Sequence, residues 1–157
     1  MQAYAGRCSI VQADLADPAW LRVLGDGTTF DAVVSGYAIH HLADERKRTL
    51  YQEVFSLLRP GGLFVNMDHV RSPSAWLEAR FDDLLVDHFY AYQQSVGSPK
   101  TREEVAAEYV HRPDRQENIL ALVGLQCEWL LASGFQNVDC YFKLLELAVF
   151  GGRKPKG

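Results

Sequence analysis

Two kinds of pattern take turns along this chain: short, nearly continuous apolar runs, and segments with apolar residues three and four apart. Cys8 to Ala13 is a short β-rich run that ends at Asp14, and Pro18 to Leu24 is a short helical stretch with proline in its first turn. After a break at Gly25-Asp26-Gly27, Phe30 to Ser35 is almost wholly apolar, which predicts a strand buried on both faces. Asp44 is placed to N-cap the next helix, whose apolar face is Leu50, Val54, Leu57 and Leu58, with Tyr51 and Phe55 beside them. Pro60-Gly61-Gly62 is expected to end that helix, and Leu63 to Met67 to form a third strand. Strand, helix, strand with a crossover of this length predicts a right-handed βαβ unit in a parallel sheet.

From Pro73 to Gly134 the pattern is mainly helical. Trp76, Leu77, Phe81, Leu84, Leu85, His88 and Phe89 fall on one long helix, which Gly97-Ser98-Pro99 interrupts. Thr101 to His111 predicts another, with Thr101 and Glu104 at capping-box spacing, and a third ends at Trp129-Leu130-Leu131 before Gly134. Val138 to Lys143 and Leu147 to Gly151 lie too close together for anything but an antiparallel hairpin. The expected architecture is one α/β domain over residues 1–157, with a mostly parallel sheet, a closing hairpin and a helical insert or lid over 73–134.

Composition narrows the function. Hydrophobic residues are 48% and charged residues 23% of 157, a globular balance that excludes a disordered chain. Sixteen Lys and Arg against twenty Asp and Glu give a net charge of −4, which argues against a general nucleic-acid or anionic-membrane binder. Three widely spaced cysteines, Cys8, Cys127 and Cys140, read as reduced thiols. No apolar run is long enough to span a membrane, and Met1-Gln2-Ala3-Tyr4 lacks a signal-peptide core, so a cytoplasmic location is expected.

Ligands of open α/β sheets bind beyond the carboxyl ends of the strands. Three polar clusters fall there: Asp14-Leu15, Ser35-Gly36-Tyr37 and Asp68-His69. Asp14 is either a ligand contact or a turn residue before Pro18, and Ser35-Gly36 is either a close approach to a ligand or a tight exit from a strand. His40 and His41, being adjacent, are poorly placed to share one metal, and their spacing matches no ligand motif. The expectation is that one faces a cleft, where it could act as a base near neutral pH, while the other packs or caps the following helix. A metal-dependent hydrolase built on His40, His41 and His69 is the metal alternative. P-loop, GxSxG and HExxH motifs are absent from the sequence. The aromatic residues Trp76, Phe81, Phe89, Tyr90 and Tyr92 are expected in a core or in a lid over an apolar substrate.

Taken together, Val11-Gln12-Ala13-Asp14-Leu15, Phe30-Asp31-Ala32-Val33-Val34-Ser35 running on to Ala38-Ile39-His40-His41-Leu42, Leu58-Arg59-Pro60-Gly61-Gly62-Leu63-Phe64, and Gly134-Phe135 leading to Ala148-Val149-Phe150-Gly151-Gly152-Arg153-Lys154 resemble the class I S-adenosylmethionine-dependent methyltransferases, in the type 11/12 small-molecule group. The resemblance implies a Rossmann-like sheet with a C-terminal antiparallel hairpin. It implies S-adenosylmethionine as cofactor, S-adenosylhomocysteine as product and a small-molecule or nucleoside-like methyl acceptor. On that template Asp14 would meet the adenine amino group, the Leu15 N–H the adenine ring, and Ser35, Gly36 and Tyr37 the path to the methionyl part. Ala38 to His41 would face the reacting methyl, with His40 or His41 as base. The family's glycine-rich cofactor loop and the acidic ribose-binding strand end have no counterpart. The resemblance therefore places Met1 to Arg7 at the tail of a helix, two βα units into the domain, within a longer enzyme. The strand at Phe30 would then lack a neighbour, which predicts an exposed edge and a homodimer through that edge or the insert. An inactive half-domain serving as an interaction or regulatory partner is the alternative function.

Overall fold

The computed structural model describes residues 8–157. Its sheet is built from β1 (Phe30–Gly36), β2 (Leu58–His69), β3 (Gln136–Leu144) and β4 (Leu147–Arg153), in the order β1-β2-β4-β3. β1 and β2 are parallel, with Ala32 opposite Leu63 and Gly36 opposite Met67, and are joined by α1 (Asp44–Leu57) as the βαβ pattern requires. β4 runs antiparallel to β2 and pairs with β3 in the closing hairpin. Between β2 and β3 lie α2 (Ala75–Ser95), α3 (Arg102–Tyr109) and α4 (Val123–Ala132).

Core packing follows the alternation of β2. Gly62, Phe64, Asn66 and Asp68 face α1 and α4, while Leu63, Val65, Met67 and His69 face the other way. Leu50, Tyr51 and Val54 of α1, Leu130 of α4, and Phe64, Phe135 and Phe150 close the first face. A smaller cluster, Val86, Val105 and Val110, holds α2 to α3. The capping box at Thr101 and Glu104 is present, and Gly134 takes φ +100° just beyond α4, as its place after a helix predicted.

Several expectations are corrected. Cys8 to Ala13 is not a strand: no strand of the described sheet pairs with it, and Ile10 is 99% exposed. Two parallel strands, not three, therefore precede the hairpin. β1 is not buried on both faces, since Val34 is 75% exposed. α1 is N-capped by Ala43 without a side-chain bond; Asp44 is its first residue and instead meets Lys47 Nζ at 3.0 Å. Pro60-Gly61-Gly62 does not end α1, because β2 starts directly at Leu58 and the three residues form an irregular stretch within it. Gly61 has φ +81°, and a Cβ on Gly62 would lie 2.9 Å from the Arg59 carbonyl oxygen, so this strand entry needs glycine. Trp76 and Tyr92 are exposed instead of core. The expected helix at Met1 to Arg7 lies outside the described residues.

Candidate active site

The carboxyl ends of β1 and β2 carry the polar clusters. β1 ends at Gly36, and the Tyr37 N–H donates to the Met67 carbonyl at 3.0 Å with φ +53°, a turn that sends the chain back over β2. A 3₁₀ turn over Ile39–His41 follows. There the His40 ring nitrogen Nδ1 lies 2.5 Å from Asp68 Oδ1, and the His40 N–H donates to Asp68 Oδ2 at 3.0 Å. The Asp68 carboxylate also accepts from the His69 N–H at 3.0 Å and from Asn66 Nδ2 at 3.4 Å. A carboxylate accepts, so it holds His40 with the proton on Nδ1 and leaves Nε2 proton-free in the neutral ring.

His40 is 7% exposed and Asp68 1%, so this is a buried, oriented pair. His41 is exposed, its ring 3.9 Å from that of His40. The His69 ring stacks on His40 at 5.4 Å and meets Tyr37 edge-on at 5.5 Å. A strap over Ile119 to Ala121 fixes this loop: the Ile119 N–H donates to the His40 carbonyl, buried Lys47 donates to the Ile119 carbonyl, and the Arg71 N–H donates to the Ala121 carbonyl.

On the other face of β2, His69 opens onto a cavity of about 350 Å³. α2 contributes Phe81, Leu85 and Phe89, α3 contributes Tyr109, and the hairpin contributes Leu144 to Leu147. Phe89 and Tyr109 stack at 4.1 Å, forming a flat aromatic wall. Arg115 bridges Asp82 at 3.0 Å and Glu146 at 3.6 Å, which neutralises both carboxylates lining the space. Burial, and then the neighbouring His40, hold the His69 imidazole below its usual titration range, so it is neutral at pH 7.

Asp14 and Leu15 lie on a separate turn. Asp14 Oδ1 accepts from the Ala16 N–H at 2.8 Å, the turn role weighed for it, and its carboxylate stays exposed. The Leu15 carbonyl accepts from Arg46 Nε, and Arg46 in turn pairs with Glu53, so α1 fixes this turn. Ser35 Oγ is buried on the core side without a hydrogen-bond partner among the described residues, whereas Gly36 and Tyr37 are exposed. The structure thus gathers His40, His41 and Tyr37 around Asp68 and His69.

From sequence, Asp68 and His69 stand as a strand-end cluster, with His69 also in the metal alternative beside His40 and His41. The signal for them is Asn66 and Asp68, two polar residues alternating on the core face of an otherwise apolar strand. Burial pushes the Cys127 thiol up to about 11, which keeps it protonated at neutral pH. Among the described residues no group of three or more His, Cys, Asp or Glu is placed to hold a metal ion, and no helix is long and apolar enough to cross a membrane.

Residues 1–62 match the family model described as a methyltransferase domain. No protein of curated function matches the chain. Among solved structures, the chain is similar to an O-methyltransferase family protein from Burkholderia thailandensis, at TM-score 0.62 and 15% identity over 99% of this chain and 38% of that one. It is similar to a possible exported protein from Bordetella parapertussis, at TM-score 0.60 and 17% identity over 98% and 46%. PigF with SAH gives TM-score 0.55 and 16% identity over 98% and 37%. The chain spans less than half the length of each of these proteins.

Proposed function

From a chain that has the Rossmann-like α/β fold of these structures and matches the methyltransferase-domain family over residues 1–62, we propose S-adenosylmethionine-dependent methyl transfer to a small-molecule acceptor. The observation that carries the reading is the buried His40–Asp68 pair, set at the strand ends beside an apolar, aromatic-walled cavity. Such a cavity with a few convergent polar groups is the usual form of a small-molecule site.

Two features of the chain fit the adenosine part of the cofactor. Asp14 is exposed on a turn braced by Arg46, free to accept from the adenine amino group, with the Leu15 N–H beside it. Gly36 is open: an added Cβ would meet only Met67 Cε, at 3.9 Å. A ligand can therefore approach the main chain of Gly36 and Tyr37, while Ser35, its hydroxyl buried on the core side, offers main chain only. When bound, the cofactor supplies a methyl already activated on a sulfonium. What remains for these residues is to hold the acceptor in line and to take its proton. The imidazoles of His40, His41 and His69 are the candidates for that proton, with Asp68 fixing the orientation of the His40 ring.

The test is transfer of labelled methyl from S-adenosylmethionine to a panel of small phenols and amines. Label should appear in an acceptor, and His40→Ala should lower the rate by about 100-fold or more. An equal rate in the variant would remove His40 from the reaction.

A second reading, association of copies without catalysis, is favoured by one observation. Among the described residues β1 has no partner on its outer edge, and that edge adjoins an apolar face on which Val34, Leu63, Met67 and Phe142 are exposed. Light scattering that gave a monomer would remove it.

A further inference from the structure

The turn at Asp14 and Leu15 has no sheet to hold it, because Cys8 to Ala13 pairs with no strand of the described sheet. Side chains of α1 hold it instead. Arg46 Nε donates to the Leu15 carbonyl at 2.7 Å, and both terminal nitrogens of the same guanidinium donate to the Glu53 carboxylate, at 2.9 and 2.8 Å. Further along the same segment, Trp20 donates from Nε1 to Glu53 Oε2 at 2.6 Å and packs against the core. One ion pair therefore ties the segment to α1 at two points. It is shielded from water, with the Arg46 side chain 11% and that of Glu53 14% exposed. Only a guanidinium can make the forked pair and the third bond together; an ammonium has neither the plane nor the reach.

The groups that this clamp leaves over form a pattern of their own. Asp14 Oδ1 accepts from the Ala16 N–H, and the exposed carboxylate keeps Oδ2 as an acceptor. The adjacent Leu15 N–H makes no hydrogen bond among the described residues. An acceptor beside a donor complements the edge of an aminopurine, where an NH₂ donor adjoins a ring-nitrogen acceptor; an oxopurine presents the reverse pair. We propose, resting on the methyl-transfer reading, that the Arg46–Glu53 pair is the positioning element that makes this turn select an aminopurine over an oxopurine. Arg46 acts through the Leu15 main chain, fixing the residue whose N–H is the donor, and Glu53 acts through Arg46. The selectivity of the turn is thus set from α1, by side chains that do not themselves meet the ligand.

The test compares two ligands on the whole chain: S-adenosylhomocysteine, and S-inosylhomocysteine, which carries an oxo group in place of the purine amine. The wild type should prefer the first by about tenfold or more in calorimetric titration. Arg46→Lys keeps the charge opposite Glu53 but not the fork, and should bring the two affinities to within about threefold of each other. Arg59→Lys, at the exposed pair with Asp31, should keep the full preference. General loosening of the fold would weaken both ligands alike, so the ratio isolates positioning from stability. Should Arg46→Lys not fold, the unmodified protein still decides: S-adenosylhomocysteine should shift the Leu15 amide and Arg46 Nε–H resonances, and S-inosylhomocysteine should leave them in place. A full preference in Arg46→Lys, or unmoved Leu15 and Arg46 resonances, would overturn the proposal. Equal binding of both ligands by the wild type would overturn it and leave the methyl-transfer reading standing. Binding of neither would remove both.

Discussion

Asp68 shows how much one side chain can organise at a strand end. Buried to 1%, it accepts from the His40 ring, the His40 and His69 main chains and Asn66. Asp68→Ala would strand the His40 N–H and ring without partners, and should lower unfolding stability in urea by about 1–3 kcal/mol. Tyr51 is the corresponding group in the core: fully buried, its hydroxyl donates to Gln126 Oε1 at 2.6 Å. Burial raises its pKa well above the usual value. The sign follows from the protonated form being the native one: its contribution is intact below the unfolded tyrosine pKa of about 10 and is lost as pH rises beyond it. Alkaline titration should therefore unfold the wild type earlier than Tyr51→Phe relative to each protein's stability at pH 7. The phenylalanine variant itself should cost about 1–3 kcal/mol at neutral pH for the orphaned Gln126. At this scale the sequence marked His40 and the Asp68-His69 cluster as polar residues at strand ends. It could not show that Asp68 faces the core and His69 the cavity, because that depends on which face of β2 the helices cover.

Elements with local causes were the legible ones. The crossover from β1 through α1 to β2, the Thr101 capping box and the C-terminal hairpin each depend on residues close in sequence. The strand expected at Cys8 failed for the opposite reason: strand formation needs a neighbour, and periodicity carries no information about one. Glycines show the same division. Gly151 sits where β4 pairs with β2, and a Cβ there would run into the Phe64 carbonyl oxygen. The Gly-Gly of the last strand, which enters the sequence reading only as part of the resemblance, is thus a packing requirement. Gly151→Ala should lower stability by about 3 kcal/mol or abolish folding. Gly124, in the first turn of α4 with nothing near its Cβ position, should gain about 0.5–1 kcal/mol on the same change. Thermal melts of the pair test this account of the sheet.

At the scale of the whole molecule, α1 and α4 cover one face of the sheet, and α2 and α3 enclose only the end of the other, where His69 lies. The site sits at that boundary, with the buried His40–Asp68 pair on the covered side and the His69 imidazole and the cavity on the open side. The α/β class and the C-terminal hairpin were legible because they follow from the order of elements. The coverage of each face was not, since it depends on the packing of helices distant in sequence.

On the proposed methyl-transfer reading, this sheet presents a cofactor edge to that cavity. The most direct measurement is calorimetric titration of the chain with S-adenosylhomocysteine, repeated with Asp14→Ala. Binding on the order of a millimolar or tighter is expected, weakened about tenfold in the variant. A folded chain that releases no heat with the ligand, or an Asp14→Ala variant that binds as well as the wild type, would contradict it.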